Sequence, residues 1–152
     1  MQASEAAQVL LDNIYPRLYF SLPRLPAKSS STRLNERLFS ILMLLELKSI
    51  EGKMLTIGDI GEIGKLSASD TTRKIKDLEK RGFVSKSNVK SDDRLKEISL
   101  TPQGLQVLAT EKENRKRWFE QILVLLTENE RSFLVNMFLR IGEGLGNSSK
   151  RY

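Results

Sequence analysis

Residues 67–100 read SASDTTRKIKDLEKRGFVSKSNVKSDDRLKEISL, and along this stretch the spacing of apolar residues changes from a helical to an extended period. Ser67 is a favourable N-cap, so we predict a helix that begins after it and continues to Lys80. One face of this helix carries the side chains at i, i+4 and i+7, which are Thr71, Ile75 and Leu78. Gly82 then ends the helix, because glycine adopts the left-handed C-terminal cap without strain.

Two short runs with strand character follow this helix. They are Phe83–Val89 and Leu95–Leu100, and the segment Lys90–Arg94 between them predicts a β-hairpin with a charged tip. Before the helix, Thr56 is a good N-cap for a short helix Ile57–Ile63. Two short helices about four residues apart predict a helix-turn-helix, and the attached hairpin makes it a winged helix.

Helices are also predicted before the winged helix. Apolar residues between Glu5 and about Tyr15 recur at helical spacing. Prolines then interrupt the pattern at Pro16, Pro23 and Pro26. After a polar loop, 28–32, a second helix contains the apolar run Ile41–Leu45, which predicts burial on most of its sides.

Two long helices are predicted after the hairpin. Thr101-Pro102 combines an N-cap with proline at the first helical position, and we expect this helix to reach about Leu126. Thr127-Glu128-Asn129-Glu130 is a capping box for a last helix, whose end is loosened by glycines at 142, 144 and 146. The apolar residues on the terminal helices are Leu10, Leu11, Ile14, Tyr15, Trp118, Ile122, Leu125, Phe133, Met137, Phe138 and Ile141. They exceed what a small winged-helix core needs, so we expect a homodimer.

The expected fold class is therefore mainly α with a small β-hairpin wing (α+β). It is a winged helix-turn-helix with N- and C-terminal dimerisation helices. A length of 152 residues fits a single domain, residues 1–152. In it, the winged helix-turn-helix occupies about 34–104 and the dimerisation helices about 4–26 and 105–146.

The residue types that the chain lacks exclude several functions. Without cysteine and histidine it has no disulfide framework, no zinc site of the usual kind, no thiol chemistry and no histidine base. No nucleophile with a base, P-loop or dinucleotide turn is recognisable, so we expect neither an enzyme, a metal nor a cofactor. The longest apolar runs have five residues, whereas about 18 are needed to span a bilayer. We therefore expect a cytoplasmic protein without membrane contact.

Positive charge is concentrated in one part of the chain. The 25 Lys and Arg residues exceed the 19 Asp and Glu residues by six. Ten basic and five acidic residues lie between Lys65 and Lys96, so this fifth of the chain carries +5 of the net charge of +6. Such a segment favours a polyanionic partner, and we expect double-stranded DNA.

The predicted helix after Ser67 has a polar face opposite its apolar one. This helix provides the candidate DNA contacts Ser67, Ser69, Asp70, Thr72, Arg73 and Lys76. Arg73 suits the O6 and N7 atoms of guanine, Asp70 suits the N4 amino group of cytosine, and hydroxyls suit phosphates or base edges. The alternative interpretation is a solvated helix face with surface ion pairs such as Asp77–Arg81.

The hairpin adds the candidate contacts Lys86, Lys90, Asp92, Arg94 and Lys96. Arg94 has the length and charge to enter a minor groove, where A·T-rich segments concentrate negative potential. Asp92 is placed to orient the Arg94 guanidinium. The lysines suit phosphate contacts, and ordinary solubilisation of a hairpin is the alternative for them.

Three segments match one set of motifs in order. Leu55-Thr56 through Leu66-Ser67-Ala68-Ser69 is similar to L-T-x-x-[DE]-[IL]-[AG]-x-x-x-x-L-S-x-S, and Thr72-Arg73 through Val84 is similar to S-R-x-[VI]-x-x-L-E-x-R-G-[LF]-[VI]. Asp92-Asp93-Arg94 with Ile98 through Gly104 is similar to D-x-R-x-x-x-[VI]-x-L-T-x-x-G. Between about Leu34 and Ile141 the chain thus resembles the MarR (multiple antibiotic resistance regulator) family of dimeric bacterial winged-helix transcription factors. One difference is that the turn glycine of the usual L-G-L-S is displaced to Gly64, with Lys65 after it.

The resemblance implies a homodimeric regulator of transcription. Its recognition helices would enter the major grooves of a pseudo-palindromic operator and its wings, with Asp92 and Arg94, the minor groove. The resemblance also implies a small aromatic or amphipathic effector. Tyr15, Tyr19, Phe20, Met43 and Trp118 are candidates to line its pocket, but aromatic residues at helical spacing are more often core, so no ligand residues are assigned.

Two other functions stay open at this point. One is a winged-helix module that binds proteins, which an acidic or apolar recognition face would favour. The other is a non-specific DNA-binding architectural module without effector control.

Overall fold

The computed structural model describes residues 1–14 and 34–148 of the chain. Six α-helices and three strands occur in this part of the chain. The helices are α1 (Ala3–Val9), α2 (Glu36–Ile50), α3 (Ile57–Gly64), α4 (Ala68–Lys80), α5 (Pro102–Leu123) and α6 (Glu128–Ser148), and the strands are β1 (Leu55–Thr56), β2 (Val84–Val89) and β3 (Asp92–Leu100). The predicted fold class, mainly α with a small hairpin wing, is confirmed.

Two compact units divide the described residues. Residues 1–14 and 111–148 form one of them, which we call the terminal unit, and residues 34–110 form the other, the winged-helix unit. The boundary between them lies within α5. In neither unit does a helix combine the length and the apolar character needed to cross a membrane.

The helix-turn-helix forms where its capping residues predict it. At α3, Thr56 and Asp59 form a reciprocal capping box, in which the N–H of Asp59 donates to Thr56 Oγ1 over 3.2 Å. At α4, the N–H of Asp70 donates to Ser67 Oγ, also over 3.2 Å. Both side chains satisfy N–H groups that have no partner within the helix.

Close packing and an unusual turn hold α3 against α4. A β-carbon at Gly61 would lie 2.9 Å from Thr71 Oγ1, so a larger side chain would push the helices apart. Gly61 thus occupies a position where the two helices pack closely. In the turn, Lys65 adopts the left-handed conformation with φ of 49°, which suits glycine better than lysine.

The wing belongs to a three-stranded antiparallel sheet of order β1-β3-β2. β2 and β3 form the predicted hairpin, in which Val84 lies opposite Leu100. The tip is shorter than predicted, because β3 begins at Asp92 rather than at Leu95 and Val89 lies opposite Asp92. The register shifts at this point, since Asn88 lies opposite Lys96. Sequence analysis did not predict β1, since a strand of two residues is too short to show an alternating pattern.

Thr101 joins the base of the wing to α5. Its Oγ1 donates to the carbonyl oxygen of Gly82 over 2.5 Å and accepts from the N–H of Gly104 over 3.0 Å. Its N–H donates to the carbonyl oxygen of Phe83 over 3.1 Å. A methyl group at Gly104 would overlap that carbonyl oxygen, so only glycine fits the close approach.

The core of the winged-helix unit holds α4 by its apolar face. The buried residues of α4 are those predicted, Thr71, Ile75 and Leu78. α2 is buried on most sides, as predicted, and contributes Leu38, Phe39, Ile41, Leu42, Met43, Leu44 and Leu45. Burial of one face of α4 leaves its polar face directed to solvent.

The first helix of the terminal unit differs from the prediction of an α-helix to about Tyr15. α1 ends at Val9, and Leu10–Ile14 form a π-helical turn. Such a turn shifts the hydrogen bonds by one residue without requiring a particular residue type, so it left no sign in the sequence. The predicted interruptions at Pro16, Pro23 and Pro26 lie outside the described residues.

The ends of the two long helices also differ from prediction. α5 ends at Leu123 instead of about Leu126, and the guanidinium Nε of Arg131 donates to the carbonyl oxygen of Leu123 over 2.7 Å. This contact satisfies a carbonyl at the end of α5 without further helical turns. The predicted capping box is confirmed, with the N–H of Thr127 donating to Glu130 Oε2 over 2.8 Å. α6 continues past its glycines to Ser148 rather than loosening near residue 146.

Candidate nucleic-acid interface

The solvent-facing side of α4 brings together four of the predicted contact residues. Ser69, Thr72, Arg73 and Lys76, with Ala68, line a shallow open depression of about 520 Å³. Thr72 Oγ1 donates to the carbonyl oxygen of Ala68 over 2.8 Å, so only its lone pairs remain for a ligand. Thr72 is therefore suited to accept from a base amino group rather than to donate to a phosphate.

Ser67 has a structural role in addition to its predicted place in the interface. It is exposed, and its Oγ accepts from the N–H of Asp70 and lies 3.3 Å from Ser69 Oγ. Two hydroxyls and the free N–H groups of the first helical turn thus lie at the same end of α4. Such a helix end favours an anion such as a phosphate.

The carboxylate of Asp70 makes several contacts within the winged-helix unit. Its Oδ2 accepts from Arg37 Nη1 over 3.2 Å, and its Oδ1 accepts from Arg73 Nη2 over 2.6 Å. Lys74 Nζ lies 3.3 Å from Oδ1. The hydrogen bond from Arg73 lowers the pKa of Asp70 below its ordinary value, and Lys74 lowers it further, against partial desolvation. The carboxylate is therefore ionised at neutral pH.

Sequence analysis missed two members of this cluster. Lys74 follows Asp70 by four residues on the same helix, so the i, i+4 spacing could have indicated it. Arg37 lies in the first turn of α2, 33 residues away along the chain, and nothing in its local sequence points to α4. Only the packing of α2 against the rest of the unit brings the two side chains together.

The tip of the wing presents the predicted cations to solvent. Lys90 lies in the turn and Arg94 near the start of β3, and both are exposed. Asp92 was expected to orient the Arg94 guanidinium, but the contact that the structure shows for it is with the Arg94 backbone. Its Oδ1 instead accepts from the backbone N–H of Arg94 over 2.9 Å, which fixes the backbone at the tip.

The two other predicted lysines of the wing are tied to neighbouring side chains. Lys86 Nζ lies 2.7 Å from Glu79 Oε2, and the Lys86 side chain is only 23% exposed. Lys96 Nζ donates to Asn88 Oδ1 on the paired strand. The lysines of the wing thus differ in structure, since Lys86 and Lys96 contact neighbouring side chains whereas Lys90 is exposed in the turn.

The terminal unit carries an apolar surface of its own. Its exposed large apolar side chains are Trp118, Ile122, Val124, Leu125, Phe133, Met137 and Ile141. Leu125, in the turn between α5 and α6, is 82% exposed, and Phe133 on α6 is 71% exposed, which is high for large apolar side chains. They are distinct from the core of this unit, which is formed by Ala6, Ala7, Leu10, Leu123 and Val135.

Of the residues considered for an effector pocket, the structure describes Met43 and Trp118, which belong to different units. Met43 is buried in the core of the winged-helix unit, and Trp118 is exposed and packs edge-on against Phe119 at 5.1 Å. Tyr15, Tyr19 and Phe20 lie outside the described residues.

The winged-helix unit is similar to a known family and to a curated relative. The MarR family model matches residues 34–96. YdgJ of Bacillus subtilis (strain 168), described as an uncharacterised HTH-type transcriptional regulator, is 26% identical over 89 residues. The aligned segment covers 59% of this chain and 54% of YdgJ, so the chain spans about half the length of that relative. The resemblance found in the sequence is confirmed, and these relatives are regulators rather than enzymes.

Solved structures show the same fold. Wild-type MarR from E. coli in its apo form has a TM-score of 0.63 at 15% identity, with 86% of this chain and 87% of that chain covered. The S. aureus MepR–DNA complex has a TM-score of 0.56 at 18% identity, with 74% and 80% covered. At such low identity the likeness shows the winged-helix fold alone.

Proposed function

Residues 34–96 of this chain form a MarR-family winged helix-turn-helix, and from this premise we propose that the chain is a homodimeric transcriptional regulator that binds double-stranded DNA in a sequence-specific manner. One observation carries the proposal. The exposed polar face of α4 and a hairpin with exposed cations at its tip belong to one compact unit. Phosphates require cations and base edges require directional hydrogen-bonding groups, and this unit offers both.

In the proposed complex α4 enters the major groove and the wing enters the adjacent minor groove. The proposed interface consists of Ser67, Ser69, Asp70, Thr72, Arg73, Lys76, Lys86, Lys90, Asp92, Arg94 and Lys96. Arg73 donates to guanine O6 and N7, and Thr72 accepts from a base amino group. Arg94 enters the minor groove, and Lys90 pairs with a phosphate.

The apolar surface of the terminal unit supports the homodimer. Side chains as exposed as Leu125 and Phe133 are removed from water when a second copy covers them, and a two-fold axis does this with identical surfaces. Two recognition helices then read half-sites about 34–36 Å apart, which requires a pseudo-palindromic operator. Sedimentation at micromolar concentration should show a dimer, and a species of 17.3 kDa alone would refute this part of the proposal.

The proposal includes modulation by a small aromatic or amphipathic effector, and a cavity of the winged-helix unit is suited to it. This cavity of about 300 Å³ is lined on its apolar side by Leu45, Met54, Leu55, Ile98 and Leu105, and its charged lining residues are Glu46, Lys48 and Lys53. Apolar walls with a few polar groups are typical of small-molecule sites. Benzoate should therefore raise the melting temperature of the wild-type chain and not that of Met54→Glu, whose carboxylate would repel the anion.

A gel shift tests the DNA-binding function. The probe is DNA flanking the gene of this protein, and a shuffled duplex of the same composition is the control. Preferential retardation of the flanking DNA supports a sequence-specific regulator. Equal retardation of both duplexes would favour an architectural protein, and retardation of neither would favour a winged helix that binds proteins.

A further inference from the structure

The hydrogen bonds of Asp70 connect the recognition face of α4 to the core of the winged-helix unit. One carboxylate oxygen binds Arg37 of α2, and the other binds Arg73 on the exposed face. We propose that Asp70 and Arg37 are positioning residues, which hold the Arg73 guanidinium in one orientation for reading DNA. This inference rests on the proposed function, because it assigns a specificity-determining role to residues behind the reading surface.

Arg73 is the exposed member of the cluster, whereas the other three side chains are largely covered. The side chains of Lys74 and Arg37 are 12% and 24% exposed, that of Asp70 is 23% exposed, and that of Arg73 is 77% exposed. Arg37 precedes Leu38, which is buried in the core, so the inner end of the cluster cannot move far without disturbing the packing. Asp70 is thus a fixed support, and Arg73 extends from it into solvent.

The contact with Asp70 restricts the orientation of the Arg73 guanidinium. A free arginine side chain samples many rotamers, and this freedom is lost when the guanidinium binds guanine with two hydrogen bonds. A guanidinium that is already held loses less freedom on binding and discriminates better between bases, since the wrong base meets it in a fixed direction. A single exposed ion pair does little to fix the orientation of a side chain. A network of ion pairs with a partly buried member holds its side chains in one geometry.

The same contacts disfavour direct reading of cytosine by Asp70. A carboxylate has about four acceptor positions, and three cationic groups already occupy this one. An amino group of cytosine would compete with charged donors for the remaining position. Positioning of Arg73 is therefore the role that the geometry favours.

Removal of the Asp70 charge should affect specific and non-specific DNA binding differently. One carboxylate lies among three cations, so its removal leaves three positive charges close together at one end of α4. Non-specific affinity for DNA should then stay the same or increase, because it follows the local positive charge. Specificity should decrease at the same time, because Arg73 is no longer held.

The experiment compares Asp70→Asn and Arg37→Met with a matched control, Asp77→Asn. Asp77 lies on the same helix and binds Arg81 Nε over 2.9 Å, so its substitution removes an equal charge and an ion pair without touching Arg73. The probes are a duplex enriched from a random pool by the wild-type chain and a shuffled duplex of the same composition. Circular dichroism verifies that each variant is folded, and fluorescence anisotropy gives both dissociation constants.

The measured quantity is the specificity ratio, which is the dissociation constant for the shuffled duplex divided by that for the enriched duplex. We expect Asp70→Asn to lower this ratio about tenfold without weakening the shuffled duplex, and Arg37→Met to lower it in the same direction. Asp77→Asn should leave it unchanged. In an Arg73→Ala background Asp70→Asn should have no further effect, because residues that act through one another are not additive.

Several outcomes would overturn the inference. A ratio that Asp70→Asn and Arg37→Met leave intact means that Arg73 needs no support. Additive effects of Asp70→Asn and Arg73→Ala mean that Asp70 reads a base itself. If the wild-type chain enriches no duplex, the proposed function fails, and this inference fails with it. Successful enrichment followed by either of the first two results would refute the inference alone.

Discussion

Lys90→Ala should lower the salt dependence of DNA binding, whereas Lys86→Ala should change it much less. Both lysines belong to the wing, and both substitutions remove one positive charge. Lys90 is exposed in the turn of the hairpin. Lys86 Nζ lies 2.7 Å from a carboxylate oxygen of Glu79 and its side chain is largely covered. A cation that is already paired replaces few counterions when DNA binds.

The magnitude follows from the number of phosphates that each lysine neutralises. One phosphate contact contributes about 0.9 to the slope of log K against log salt, so the two wings of the proposed homodimer would contribute about 1.8. Lys90→Ala should lower the slope by that amount, and Lys86→Ala by less than half of it. Over a fourfold increase in salt, a difference of 1.8 in slope corresponds to about a tenfold difference in affinity loss.

Fluorescence anisotropy over a series of salt concentrations measures these slopes. The wild-type chain and both variants are titrated with an enriched duplex and with a shuffled one. Lys90→Ala should weaken both duplexes alike, because phosphates carry no sequence information. Equal reductions of the slope by the two variants would refute the reasoning, since the ion pair with Glu79 would then not matter.

Three further outcomes are expected. Arg73→Ala should weaken the free energy of binding to the enriched duplex by about 1–3 kcal/mol and that to a shuffled duplex by much less. Equal losses measured by anisotropy would show that α4 is not the helix that reads the bases. Lys65→Gly should raise the free energy of unfolding by about 0.5–1 kcal/mol, because glycine relieves the left-handed strain at φ 49°. Lys65→Ala, which keeps that strain, is its control in urea titrations, and equal stabilities would contradict this account. Gly104→Ala should lower the free energy of unfolding by about 1–3 kcal/mol or more, since its methyl group overlaps the carbonyl oxygen of Phe83. A circular-dichroism melt indistinguishable from that of the wild type would show that the base of the wing adapts.

Local signals were sufficient to predict most of the winged-helix unit. Thr56 and Ser67 cap α3 and α4 as their side chains predicted, because a cap depends on groups within one helical turn. The apolar period of α4 identified its buried face, since a period shows which side of a helix avoids water. The polar face opposite it followed directly, and with it the positions of Ser69, Thr72 and Arg73.

Tertiary structure decided the contacts between residues that lie far apart in the chain. β1 pairs with β3 although it has two residues, because the other strand supplies its hydrogen bonds. Lys86 and Lys90 have the same chemistry in the sequence, and only the placement of Glu79 beside one of them separates a paired cation from an exposed one. Arg37 reaches Asp70 because the buried side of α2 fixes where its first turn lies. Composition and periodicity indicate which residues are buried. Which charged residues pair with each other depends on how the packing of the core positions the backbone segments that carry them.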